Sequence, residues 1–170
     1  MTDARRRALP PEQTELDLPP VGRPDTPLVT LGYESRSLEA YLALLVEARV
    51  TLLCDVRSNP WSRKPGFSKR ALAAGCMSVG VRYEHLPELG IAKEKRAKVE
   101  TVADREALFA DYERETLTRE AAAIGRILEW LGAGERVALT CYELDFRDCH
   151  RSRLAAAVAA RAGLPGIAHL

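Results

Sequence analysis

The chain has 170 residues, with 25 basic against 24 acidic side chains for a formal net charge of +1, and 46% of its residues are apolar. That size suits one domain that can bury a core without a disulfide or structural metal, and the balanced charge excludes bulk capture of nucleic acid or an anionic membrane while allowing a local basic patch. No apolar run approaches the ~20 residues of a membrane span and no export signal follows the start, so Cys54, Cys76, Cys141 and Cys149 read as reduced thiols of a cytoplasmic protein.

Residues 1–26 hold five prolines and no sustained periodicity, which predicts a disordered or strap-like arm ahead of a single domain over 27–170. "PLVTLGY" then reads as a strand, and "SRSLEAYLALLVEA" as a helix capped by Ser37, with Leu38, Tyr41, Leu42 and Leu45 at helical spacing. "VTLLCDVR" is apolar on both sides up to Asp55, as a buried parallel strand would be. "SNPWSRKPG" is a loop, because two prolines and a glycine rule out a helix. A helix capped by Ser68 and a third strand, "VRYEHL", follow. "PELGIAKEKRAKVET" is a polar excursion without a clear pattern. Two helices come next, the second expected to turn Ala122, Ile124, Ile127, Leu128 and Leu131 inward. "ERVALTC" is a strand, Asp148 is placed to cap the helix "CHRSRLAAAVAARAG", Gly163 to end it, and "GIAHL" to add a last strand. The alternation predicts an α/β domain: a mostly parallel sheet of about five strands with helices on both faces.

Open parallel sheets bind ligands beyond the carboxyl ends of their strands. The segments leaving those ends, "ESRS", "DVRSNPWSRK", "HLPELG" and "CYELDFRDCHR", are rich in ionisable groups, whereas the segments leading into strands ("ARV", "SVG", "GAGE") are plain. This asymmetry predicts a site in which Arg57, Arg63, Lys64, His85 and Arg151 bind substrate. Asp55, Glu88, Glu143, Cys149 and His150 are the candidate catalytic groups, and Trp61 a stacking surface. With Asp148 as cap, Cys149 would lie in a first helical turn whose dipole favours its thiolate. The same turn would suit an anion, unless Glu143, Asp145 and Asp148 neutralise its cations.

Other readings fit less well. Cys141 to Arg147 has the CxxxxxR spacing of a phosphatase loop, but its interior "YELDF" carries two acids and no glycine and would repel a phosphate. A weak similarity to rhodanese sulfurtransferases founders on the long acidic loop after Cys141. Zinc could be held by Cys141, Cys149 and His150, yet the spacing lacks a CxxC knuckle, and a fourth ligand must come from His85, Asp55 or Glu143. The metal is therefore not the favoured reading, and the cofactor is left open.

Taken in order, "TLGYESRSLEAYLALL", "LLCDVRSNPWSRKPGFSKRAL", "VRYEHLPELG" and "VALTCYELDFRDCHRSRLAAAV" resemble the domain-of-unknown-function family 488, from about Leu28 to Leu170. The resemblance implies an α/β fold and a site at Asp55-Val56-Arg57-Ser58, His85 to Gly90, Cys141 with Glu143, and Cys149-His150-Arg151, and it leaves the reaction open. Its expected Gly-His-Ser turn is Gly32-Tyr33-Glu34-Ser35 here, so no role for a histidine carries over. The leading expectation is an enzyme or ligand-processing domain for a small anionic substrate, phosphate- or nucleotide-like, including a nucleic-acid end. The alternatives are a non-catalytic regulatory or binding module with a thiol or metal-sensing site, and a purely structural ion-pair network.

Overall fold

The computed structural model describes residues 26–170, so the arm expected over 1–26 lies, Thr26 apart, outside the described residues. Five strands, β1 (Leu28–Gly32), β2 (Leu52–Asp55), β3 (Arg82–His85), β4 (Val137–Cys141) and β5 (Ala168–His169), form one sheet in the order β3-β2-β4-β1-β5. Every pairing is parallel, as expected. β1, β2 and β4 are buried at every position, which is why their sequences are continuous apolar runs. β3 lies at an edge and tolerates Arg82 and Glu84.

The helices are α1 (Leu38–Glu47), α2 (Lys69–Ser78), the short α3 (Lys93–Arg96), α4 (Val102–Asp111), the short α5 (Leu117–Arg119), α6 (Ala121–Gly132) and α7 (Arg151–Ala162). α1 and α2 cover one face, packing Tyr41, Leu45, Leu72 and Cys76 on Val29, Leu31 and Leu53. α4, α6 and α7 cover the other, with Phe109, Ile124, Ile127, Leu154 and Val158 against Leu28, Leu52, Cys54 and Leu139. Side chains alternate across a strand, so β1 and β2 feed both cores at once. Among the described residues no helix is long and apolar enough to cross a membrane.

Ser37 caps α1 by accepting the Ala40 amide, and Gly163 ends α7 at φ 63°. Elsewhere the local chemistry differs from expectation. Asp148 does not cap α7: it ends a 3₁₀ turn (Phe146–Asp148) and pairs with Arg105 at 3.0 Å. Cys149 is extended and His150 holds the cap position, so the helix starts two residues later than its sequence suggests. Ser68 spends its hydroxyl on Ser62 of the preceding loop and leaves the α2 amides uncapped. Ala123 takes the buried place expected for Ala122. Between α4 and α5 one π turn, Tyr112–Thr116, interrupts the helix and turns Tyr112 inward.

The connections create an opening. β2 leaves toward α2 on one face, while its neighbour β4 leaves toward α7 on the other. Where adjacent strands send their chains to opposite faces, a crevice opens above the sheet.

Candidate functional site

A cleft of about 230 Å³ fills that crevice. Tyr33 enters from β1, Arg57 to Asn59 and Trp61 to Arg63 from the exit of β2, and Cys141, Tyr142 and His150 from β4 and its exit, while Ile91 and Arg96 come from the polar excursion. The β1 and β4 exits are zipped together. The Tyr142 carbonyl accepts the Tyr33 and Glu34 amides at 3.1 and 2.9 Å, and Glu34 accepts the Leu144 amide at 3.0 Å. Gly32 is required beneath them, because a Cβ there would stand 1.9 Å from the Glu143 carbonyl oxygen.

Asp55 and Arg57 do not work as free chemistry. Arg57 grips Asp55 in a two-pronged pair, Nε–Oδ1 2.8 Å and Nη2–Oδ2 2.6 Å, and its Nη1 donates to the Tyr33 hydroxyl and the Phe67 carbonyl. Asp55 also accepts the Arg57 amide and the Tyr83 hydroxyl. It is fully buried, and no lone pair is left for a substrate proton. The pair matches a planar fork to a planar carboxylate, and it fixes the β2 exit loop. Tyr33, stacked on Phe67 at 4.4 Å, completes it in the place where the family pattern expected a histidine. Lys64 is committed too, donating to the Tyr33 and Glu34 carbonyls. His85 is held between the Arg57 carbonyl and Lys69, and Glu88 is exposed; neither lines the cleft. Arg151 is buried and spends Nη1 and Nη2 on the Glu143 and Leu144 carbonyls, so it buttresses the loop that crosses Gly32. Of the five expected substrate-binding residues, Arg63 alone presents to the cleft a cationic group with no partner among the described residues.

The opening of α7 gathers the other expected groups. His150 is buried, with Nδ1 3.9 Å from Cys141 Sγ and 3.8 Å from Cys149 Sγ. Its Nε2 lies 3.2 Å from the Val56 carbonyl. The ring of Tyr112, delivered by the π turn, meets it edge-on at 5.3 Å, while the Tyr112 hydroxyl is anchored to the Leu89 carbonyl. Burial pushes the Cys149 thiol well above its ordinary value, which corrects the expectation of a thiolate activated by a helix start. Burial likewise works to raise Glu143, but hydrogen bonding from Cys149, its own backbone and Cys141, with the charge of His150, outweighs it and holds this carboxyl below the usual range. One Glu143 oxygen, Oε2, is buried with no partner among the described residues. Cys141, Cys149 and His150 place their ligand-type atoms within 4.8 Å of one another.

Sequence reasoning missed Arg96, whose segment shows no clear pattern, Tyr112, which sits in a stretch that reads as plain helix, and Tyr142, which reads as one more loop residue. Arg63 and Arg96 are exposed cleft-lining cations whose guanidinium groups meet no carboxylate among the described residues. Trp61 stands beside them, 64% exposed.

A family model described as "Domain of unknown function DUF488" matches residues 37–158. No curated protein and no solved structure matches the chain.

Proposed function

Since the chain belongs to the DUF488 family, whose name carries no reaction, we propose from the site itself that it is an enzyme processing a small phosphate- or nucleotide-like anion in the cleft between the β2 and β4 exits. The observation that carries this reading is the pairing of two exposed arginines that meet no carboxylate among the described residues, Arg63 and Arg96, with a buried Cys-His cluster in the same cleft. An isolated guanidinium in a concave surface favours an anion, and its fork suits phosphate oxygens. Trp61 offers an apolar face on which a nucleobase stacks. Cys141, Cys149, His150 and Glu143 supply the chemistry. Asp55, Arg57 and Arg151 hold the walls. A purely structural network is the weaker reading, because such a network pairs its cations, as Arg57 is paired.

Removing one charge-assisted hydrogen bond to a bound anion costs roughly 1.5–3 kcal/mol. Arg63→Ala and Arg96→Ala should therefore each weaken phosphate or nucleotide monophosphate binding by about 10- to 150-fold, with melting unchanged because both side chains are exposed. Calorimetry on the parent and both variants decides it. An absence of anion binding by the parent, or undiminished binding by both variants, would sink the reading.

A further inference from the structure

The geometry points to a metal site under the cleft: Cys141 Sγ, Cys149 Sγ and His150 Nδ1 hold one thiophilic divalent ion, zinc in the first instance, with a fourth position open to the cleft. The spacing fits. Sulfurs at about 2.3 Å and a nitrogen at about 2.0–2.1 Å from a tetrahedral ion stand about 3.6–3.8 Å apart. The two sulfur–nitrogen distances here are 3.9 and 3.8 Å and all three atoms lie within 4.8 Å of one another, so the nitrogen needs to move only a few tenths of an ångström and the two sulfurs draw together by up to about 1 Å to close the set.

The imidazole is already turned for this task. A backbone carbonyl only accepts, so Nε2 keeps its proton on the Val56 contact and Nδ1 is the nitrogen that faces the sulfurs, where the ion would stand in place of a proton. Metal-binding histidines are oriented in this way, their other nitrogen donating to a carbonyl or carboxylate. One Nδ1 lone pair cannot serve two thiols at nearly equal distance, and both thiols otherwise turn to the Glu143 carboxyl. An ion serves all three atoms at once. Glu143, whose buried Oε2 has no partner among the described residues, turns its carboxyl to both thiols and His150, so a further positive charge there is favoured.

Two sulfurs and an imidazole select zinc over magnesium or calcium. Three protein ligands with a free position characterise catalytic rather than closed structural zinc sites. Cys141 and His150 themselves line the cleft, so that free position faces it. The missing CxxC knuckle is no obstacle. Cys141 ends a strand, Cys149 and His150 open a helix, and Arg151 pins the loop between them through two carbonyls. The ion deepens the anion-processing reading, resting on it for the substrate and independent of it for the metal.

The test uses the full chain, reduced and stripped with chelator, then titrated with zinc or cobalt(II). One ion per chain should bind, and cobalt should give thiolate-to-metal absorption in the near ultraviolet. Cys141→Ser and Cys149→Ser should each weaken zinc at least about 100-fold, beyond the 10- to 100-fold typical of losing an outer partner, while Cys76→Ala binds as the parent does. If the serine variants unfold, alkylation of the parent replaces them: zinc should slow modification of Cys141 and Cys149 and leave Cys54 and Cys76 unchanged. Failure to bind zinc at micromolar concentration, cobalt spectra without thiolate bands, equal binding by both serine variants or unprotected thiols would each overturn the site. Phosphate calorimetry on the stripped protein separates the two readings. Phosphate without zinc keeps the anion cleft and removes the ion; zinc without phosphate does the reverse.

Discussion

Arg57 and Arg63, six residues apart on one loop, behave oppositely because of what each meets. Arg57 is buried in a pair with Asp55, and breaking such a pair from one side leaves a naked charge, costing about 3–5 kcal/mol. Arg57→Ala should thus lower the denaturant midpoint severely, whereas Arg63→Ala should not move it. Chemical denaturation of the two variants checks this contrast. His169 offers a second residue-scale expectation. Its ring stacks on Phe146 at 3.6 Å, and Nδ1 faces the Thr30 hydroxyl at 2.7 Å. Burial, then the charge of Arg151, holds its pKa below the ordinary value, with Asp145 opposing weakly. The unfolded chain therefore binds the proton more readily than the folded one. This contribution to stability is complete above the ordinary histidine range, about pH 6.5, and is lost as pH falls through the lower folded value. Across pH 5 to 7.5 this residue should add an upward slope to the melting temperature against the downward one of His150, whose pKa is raised, so His169→Gln should tilt the profile downward relative to the parent.

Strands and their exits were largely legible, because a run such as "LLCD" that is apolar on both faces has no place outside a buried sheet. The exits were legible as a group, since polar residues converge where such strands stop. Individual roles were not. Nothing in "DVR" reveals that the arginine folds back onto the acid two positions earlier, and nothing in "ADYERET" announces a π turn. Helix starts were the least readable, as Asp148 shows: a good capping residue was taken up by an ion pair to Arg105 on α4. Two glycines separate local from packed effects at this scale. Gly163 sits at φ 63° as the cap of α7, where an alanine costs roughly 1 kcal/mol. Gly125 lies inside α6 with open space around its missing Cβ, where alanine gains up to about 1 kcal/mol of helix propensity. Gly163→Ala should lower the melting temperature and Gly125→Ala should raise it.

At the level of the whole molecule, both helical layers and all five strands fall within 26–170, and the two cores close on residues of that range. Deleting residues 1–24 should leave a single cooperative thermal transition, which calorimetry would show; its loss would mean the arm packs on the domain. The strand order carries a consequence for synthesis. β4 lies between β1 and β2, with Gly32 opposite Cys141 and Asp55 opposite Thr140. A nascent chain that has exposed β1, β2 and β3 therefore holds an empty slot in the middle of its sheet, flanked by two unpaired edges. Pairing across more than 100 residues of sequence is slow, and exposed edges recruit other chains. The ribosome must deliver residues 137–141 of these 170 before the first strand finds a neighbour. Ribosome-bound fragments ending before residue 137 should be open to protease and chaperones alike, and the Cys-His cluster should assemble in the same step that seats β4.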